Sequence, residues 1–222
     1  MKHGPFISML AQTLGLETSS VRQVARVIRE AGFLKTGPRG VNAPHLSLTD
    51  AARLILALMT GEPPSRVLSA FSELRALVPL PSLDGNSAYH NQWVDDRRLE
   101  NLEDYLVFIL QELQKPTENN QLMIATDEGE RDYNLYMEAD LTYGSVQLIA
   151  GHNKILFVRA ETAEILRKAM TQNSAPNSEE KKIWPSLKPS AGIQVKRIID
   201  ESVFFPISEA LSGQSIDGLG TE

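Results

Sequence analysis

Three arginines spaced four and three residues apart form the pattern with the clearest chemical meaning in this chain. Arg22, Arg26 and Arg29 lie on one side of a helix that is predicted to end at Gly32. The other side carries an apolar stripe at positions i, i+3, i+4 and i+7, formed by Val21, Val24, Ala25 and Ile28. A helix that buries one face and presents three guanidinium groups from the other can contact phosphates and base edges. A solvated surface helix is the alternative.

The segment before the arginines predicts a second helix and a tight turn. Residues 5–14 place apolar side chains on one helical face, and Gly15-Leu16 supplies the turn. Thr18 or Ser19 can then cap the start of the arginine helix. A helix, a glycine turn and a second helix make a helix-turn-helix, in which the second helix enters the major groove of DNA.

A basic loop after the arginine helix is predicted to form a wing. Residues 33–34 begin a short strand, and residues 45–48 return beside it. The loop between them contains two glycines, two prolines and two cations. From its tip, Arg39 would reach a backbone phosphate or the minor groove. An ordinary surface loop is the alternative interpretation.

Residues 20–34, followed by a basic turn and Leu48-Thr49, resemble the recognition helix and wing of winged helix-turn-helix DNA-binding proteins. The longer pattern adds Thr36-Gly-Pro-Arg-Gly40 and residues 48–58, and it is similar to uncharacterised DNA-binding-like proteins of proteobacterial prophages. The resemblance covers roughly the first third of the chain. It implies viral gene control or genome handling, and it supplies no chemistry.

The pattern of the arginine helix and the loop gives a set of predicted DNA contacts. The major groove would be faced by Ser19, Arg22, Gln23 and Arg26. Phosphates or the minor groove would be held by Arg29, Lys35 and Arg39. Ser20 completes the predicted set. Arg66 and Arg75 are predicted to be surface cations rather than DNA contacts.

Charge is divided unevenly along the 222 residues, whose net charge is −6. Residues 1–79 hold nine Lys and Arg against five Asp and Glu, a net charge of +4, and the remainder of the chain carries −10. Such asymmetry points to a nucleic-acid-facing domain joined to a different one. The hydrophobic content of 42% is enough for packed cores, so wholesale disorder is not expected.

The predicted organisation begins with a winged helix-turn-helix domain over 1–79, which includes extra supporting helices, and a linker over 80–94. A long helix over 95–115 follows, with apolar residues spaced as in the heptad seam of a coiled coil. The predicted dimerisation residues are Leu99, Leu102, Leu106, Ile109 and Leu113. Because Phe108 and Leu110 widen this apolar face, packing against the chain's own sheet is the competing interpretation.

Beyond Pro116 the apolar pattern changes to a period of two. Strands are predicted at 122–125, 133–140, 145–150 and 155–160, a helix at 161–172, and further strands at 193–199 and 203–207. The result is an acidic domain over 117–211 with a mainly antiparallel sheet, followed by a flexible tail over 212–222. The fold class predicted for the whole chain is α+β.

The residues of the second half do not predict an enzyme. One turn is crowded with the carboxylates Asp127, Glu128, Glu130 and Asp132. These lack the spacing of a calcium loop, so a solvated hairpin tip is favoured over a metal site. No i, i+4 pair for zinc is formed by His3, His45, His90 and His152. The chain has no cysteine, no phosphate loop and no nucleophile elbow, and we expect neither a cofactor nor a metal.

The leading hypothesis is a dimeric, sequence-specific protein that binds double-stranded DNA and regulates phage or mobile-element transcription. No apolar run approaches the ~20 residues that a membrane span needs, and a cytoplasmic location is expected. A phage small terminase-like packaging subunit is the first alternative, which a large ring in solution would favour. The second alternative is a bifunctional protein whose acidic C-terminal domain binds and inhibits a host protein.

Overall fold

A computed structural model describes residues 2–37, 45–80, 99–114, 135–141, 144–150, 153–172 and 196–212. The helices in these ranges are α1 (His3–Thr13), α2 (Thr18–Glu30), α3 (Leu48–Met59), α4 (Val67–Arg75), α5 (Leu102–Glu112), α6 (Ala160–Gln172) and α7 (Glu201–Ser212). The strands are β1 (Val78–Leu80), β2 (Leu135–Asp140), β3 (Ser145–Ala150), β4 (Asn153–Val158) and β5 (Lys196–Asp200). The predicted α+β class is confirmed.

Several predicted features lie outside the described residues. They are Arg39, nearly all of the linker, His90, the strand at 122–125, the acidic turn at 127–132, His152 and the tail beyond Ser212.

The five strands form one antiparallel sheet in the order β1-β4-β3-β2-β5. Its inner face buries alternate side chains, such as Met137 of β2 and Leu148 of β3. On the same face Phe157 of β4 meets the ring of Tyr105 from α5 edge-on, with centroids 5.0 Å apart. α6 covers the other face beside β1 and β4, where its Leu166 joins a small apolar cluster. This alternation explains why a period of two predicts β2, β3 and β4 within two residues of their ends.

A single hydrophobic core joins the helices of the first 80 residues to the sheet. It runs from Phe6 of α1 and Ile28 of α2, through Tyr105 of α5, to Phe157 of β4 and Phe204 of α7. α7 packs against α1 and α5, and β1 pairs with β4. The predicted division into separate domains stays a prediction, but the packing crosses its boundaries.

The strand pair predicted for a wing is not found among the described residues. Phe33 and Leu34 belong to no strand, and α3 begins at Leu48, inside the segment predicted to be the return strand. The reason is a capping box in which Ser47 and Asp50 exchange hydrogen bonds between side chains and backbone, which starts a helix there. His45 forms its single antiparallel bridge with Lys2 instead.

Residues 203–207, predicted to be a strand, lie in α7. The buried side chains of this helix recur at helical spacing and are Val203, Phe204, Ile207 and Leu211. Asp200 begins the helix by accepting hydrogen bonds from the backbone N–H and the hydroxyl of Ser202. A short run of β-branched and aromatic residues does not distinguish a strand from a buried helix by itself.

The apolar seam predicted for dimerisation faces the chain's own core. Leu102, Leu106 and Ile109 are at most 1% exposed, and Leu99 and Leu113 pack against the same core. α5 lies against α3 and α7, so its wide apolar face is already covered. A second copy could not use these residues without unpacking the core, and their assignment to dimerisation is therefore corrected to a role in the core.

The carboxylate of Glu103 joins the helices that surround α5. Its side chain is 7% exposed, and Arg53 of α3 donates a hydrogen bond from Nε to Oε1 at 2.8 Å. Arg53 also donates from Nη1 to the backbone carbonyl of Phe33, three residues after the end of α2. Arg75 of α4 forms an ion pair with Oε2 while its guanidinium lies over the rings of Phe33 and Phe71. Arg75, predicted to be a surface cation, is thus a partly buried structural residue.

We predict that Glu103→Gln lowers the free energy of unfolding by about 2–4 kcal/mol, because two partly buried guanidinium groups lose their counter-charge. Chemical denaturation followed by circular dichroism measures this change. The matched control is Glu164→Gln, which breaks the exposed pair with Lys168, where both side chains are more than 60% exposed. The control should change the stability far less, because solvent screens this exposed pair. Equal losses in the two variants would contradict the role given to Glu103.

Candidate nucleic-acid interface

α2 is held in place by its apolar face. Val21, Ala25 and Ile28 are fully buried, and the helix packs against α1, α3 and α4. Gly15 and Gly32 flank the helix with φ of 63° and 84°, a left-handed conformation that side chains with a Cβ rarely adopt. The predicted glycine turn and the predicted glycine end of the helix are confirmed. The caps predicted at Thr18 or Ser19 are not, because Glu17 occupies the N-cap position and makes no side-chain cap.

The opposite face of α2 carries the arginines, which we call the arginine row: Arg22, Arg26 and Arg29. They follow one another at i, i+4 and i+7, so they line one helical face over about 10 Å. Arg22 and Arg26 are exposed, and Arg29 is half-buried. Ser19 continues the row toward the start of the helix, one turn before Arg22. Two exposed arginines and a half-buried one, carried by a helix with a buried back, can contact the edge of a duplex groove.

The two other predicted contacts on α2 lie beside the row. Gln23 is exposed on one flank, next to Arg26. Ser20 is also exposed, but it precedes Arg22 by two residues, which places it about 200° around the helix. The structure therefore brings Ser19, Gln23 and the arginine row together and leaves Ser20 apart from them.

The ion pairing of the row leaves its charges accessible. Arg26 donates from Nε to Oε1 of Glu30 at 2.7 Å, but the two side chains are 70% and 60% exposed. An exposed i, i+4 pair of this kind contributes little and exchanges readily with solvent or another anion. Arg22 and Arg29 form no ion pair within the described part of the chain.

Asp50 fixes the connection that leaves the end of α2. Its carboxylate is buried and accepts a hydrogen bond from the backbone N–H of Lys35 at 3.1 Å. The same group accepts from the backbone N–H and the hydroxyl of Ser47, at 2.9 and 2.8 Å. One carboxylate thus holds residues 35 and 47 together, so the chain that carries Arg39 leaves and returns at a fixed point.

A second set of basic residues lies near Asp50 and Arg29. Lys35 is exposed, and His45 is exposed where its backbone bridges to Lys2. His3 is half-buried, and burial, followed by the nearby charge of Arg29, lowers its pKa below the ordinary value of 6.5 while Asp50 opposes the shift. The sequence did not predict this meeting, because residues 2–3 reach residue 45 only through the fold.

A small pocket lies elsewhere, between the end of α3, α4 and the β2–β3 connection. Its volume is about 130 Å³, and it is lined by side chains that include Thr60, Glu62, Leu77 and Arg159. Arg159 donates from Nη2 to Oε2 of Glu73 at 2.9 Å, so the guanidinium at this pocket already has a counter-charge. The pocket lining has one cation against the two carboxylates Glu62 and Glu73, whereas the arginine row has three cations.

Comparison with known protein families, with curated proteins and with solved structures found no match to this chain. Within the described ranges no helix has both the length and the apolar character needed to cross a bilayer. The same ranges hold no group of three or more His, Cys, Asp or Glu residues placed to bind a metal ion.

We predict that Asp50→Ala lowers the free energy of unfolding by about 2–3 kcal/mol, because the capping box of α3 loses one partner and the backbone N–H of Lys35 loses its acceptor. The matched control is Asp104→Ala. Asp104 holds the same position in the first turn of α5, three residues after the cap Asn101, but it is only partly buried and its carboxylate accepts from Glu100 in an exposed hydrogen bond. The control should cost about 1 kcal/mol or less. A loss for Asp50→Ala no larger than that of the control, measured by thermal and urea unfolding, would contradict the loop-closing role.

Proposed function

We propose that this chain is a sequence-specific protein that binds double-stranded DNA, acts as a dimer and regulates transcription of phage or mobile-element genes. The observation that carries the proposal is the arginine row of α2, which is exposed on one face of a helix whose other face is packed on three helices. The net charge of +4 over residues 1–79 supports it, because phosphates attract that part of the chain. The charge of −10 over the remainder would discourage indiscriminate coating of DNA.

In this proposal α2 lies in the major groove, with Arg22, Arg26 and Gln23 facing base edges. Arginine donates two parallel hydrogen bonds to O6 and N7 of guanine, and glutamine pairs similarly with adenine. Glu30 would give up its exposed pair with Arg26 when the guanidinium turns to a base. Rigid support from α1, α3 and α4 keeps the cost of ordering the interface low.

The end of α2 would hold the DNA backbone. Lys35 donates its backbone N–H to Asp50 near the end of α2, which carries Arg29. His45 and Lys2, whose backbones bridge to each other, add two basic residues. Contacts of this kind set register and affinity without reading sequence. Arg39, which lies between the anchored residues 35 and 47 in the sequence, would contact a phosphate in this proposal.

We predict that Arg26→Ala weakens binding to a selected duplex by about 10–100-fold and changes binding to unrelated duplexes much less, because one base contact is lost. Lys35→Ala should weaken binding to all duplexes alike and reduce the slope of log K against log salt by about one. The duplex is obtained by enrichment from a random pool, and affinities are measured by fluorescence anisotropy at several salt concentrations.

The matched control for Arg26→Ala is Lys168→Ala on α6, which also removes an exposed cation paired with a glutamate one turn away. It should leave the affinity for DNA unchanged. Failure of any duplex to enrich, or an equal loss of affinity in Arg26→Ala and Lys168→Ala, would overturn the proposed function.

A further inference from the structure

The two edges of the sheet differ in how they are protected. β1 forms one edge with only three residues, and it contains Pro79, which has no backbone N–H to donate. β5 forms the other edge with five residues that all pair with β2. No described strand pairs with the outer side of β5, and the strand contains no proline. Short strands, prolines and charged side chains are the usual protection against pairing with another chain. β5 lacks a proline, and its sequence Lys-Arg-Ile-Ile-Asp carries charges of both signs.

β5 also carries the most exposed large apolar side chain of the described residues. Ile198 is 62% exposed, whereas the other such residue, Leu16, is 37% exposed. Ile198 sits at the centre of β5, opposite Glu138 of β2, on the sheet face away from the core. An edge strand that pairs with no other described strand is a template for pairing with another chain, and Ile198 places an apolar side chain at the centre of that edge.

We propose that β5 pairs antiparallel with β5 of a second copy, about a two-fold axis at Ile198, so that two sheets join into one. The sequence of the strand is complementary to itself in this arrangement. It begins with a lysine at position 196 and ends with an aspartate at position 200, so antiparallel pairing sets opposite charges across from each other. Parallel pairing would set like charges together. Ile198 would meet its own copy at the axis, where each side chain covers the other.

This pairing would supply the two-fold symmetry that the proposed function needs. The α5 seam does not supply it, because its apolar residues are part of the core. The argument itself rests on the sheet edge alone, so self-association is tested without DNA. A dimer with an isologous interface presents two identical α2 helices related by the same axis, as a palindromic site requires.

The first experiment measures the mass of the full chain by analytical ultracentrifugation over a range of concentrations. We expect a monomer–dimer equilibrium, and Ile198→Lys should weaken dimerisation by about tenfold or more, because two like charges then meet at the axis. Leu16→Lys is the matched control and should leave the equilibrium unchanged. A monomer at every concentration, or equal weakening by both variants, would overturn the proposal.

The second experiment uses the absence of cysteine from the chain. Directly opposed residues of paired strands have Cβ atoms about 4.5–5.5 Å apart, within reach of a short bis-maleimide and near the spacing of a disulfide. Ile198→Cys should therefore cross-link to a covalent dimer much faster than Leu16→Cys at the same protein concentration. Cross-linking of the two variants at equal rates would contradict the two-fold axis at Ile198. DNA binding by a monomer would overturn the dimer proposal and leave the proposed DNA binding intact. A dimer that binds no DNA would support the dimer proposal and overturn the proposed DNA binding.

Discussion

The buried carboxylate of Glu103 is the interaction on which the placement of the helices depends. It lies on α5 and holds Arg53 of α3 and Arg75 of α4, and through Arg53 it reaches the carbonyl of Phe33. Phe33 lies three residues beyond the end of α2. Burying this charge destabilises the fold unless its two arginine partners are correctly placed. The carboxylate therefore favours one arrangement of these helices over others. The segment that follows the arginine row is therefore anchored by a residue far from it in sequence.

The arginine row combines this fixed direction with charges that remain open to solvent. Its back is a fully packed apolar stripe, and its front has one exposed ion pair, which is weak. Asp50 fixes the segment after α2, because its carboxylate accepts hydrogen bonds from the backbone of both residue 35 and residue 47. The surface is thus preorganised by two buried carboxylates, while the cations that would meet a ligand stay outside. Preorganisation of this kind lowers the entropy lost when a ligand binds.

The elements that the sequence predicts correctly are those with a local cause. α2 follows from its apolar stripe and from Gly15 and Gly32, and β3 follows from alternation between one buried and one exposed face. The errors have a non-local cause. α7 has the residue types of a strand, and it is a helix because its buried face lies on α1 and α5. The seam of α5 has coiled-coil spacing, but the chain's own helices cover it before any second copy can.

The same distinction applies to the candidate interface. The arginine row is local, and the sequence predicts it. The arrival of Lys2, His3 and His45 beside Arg29 depends on the bridge between residues 2 and 45 and on the burial of Asp50. The partly buried state of Arg75 depends on Glu103, which lies outside its own helix and beyond the predicted linker. Contacts between residues far apart in the chain leave no periodic signal in the sequence.

The contact of α7 with α1 has a consequence for how the molecule unfolds. These helices are far apart in sequence, and each covers apolar side chains of the other, so the core closes only when both are in place. Such long-range closure raises contact order and slows folding. Because the basic helices and the sheet share this core, we expect them to melt in one cooperative transition. A ligand held by α2 alone would then raise the melting temperature of β-strands that it never touches.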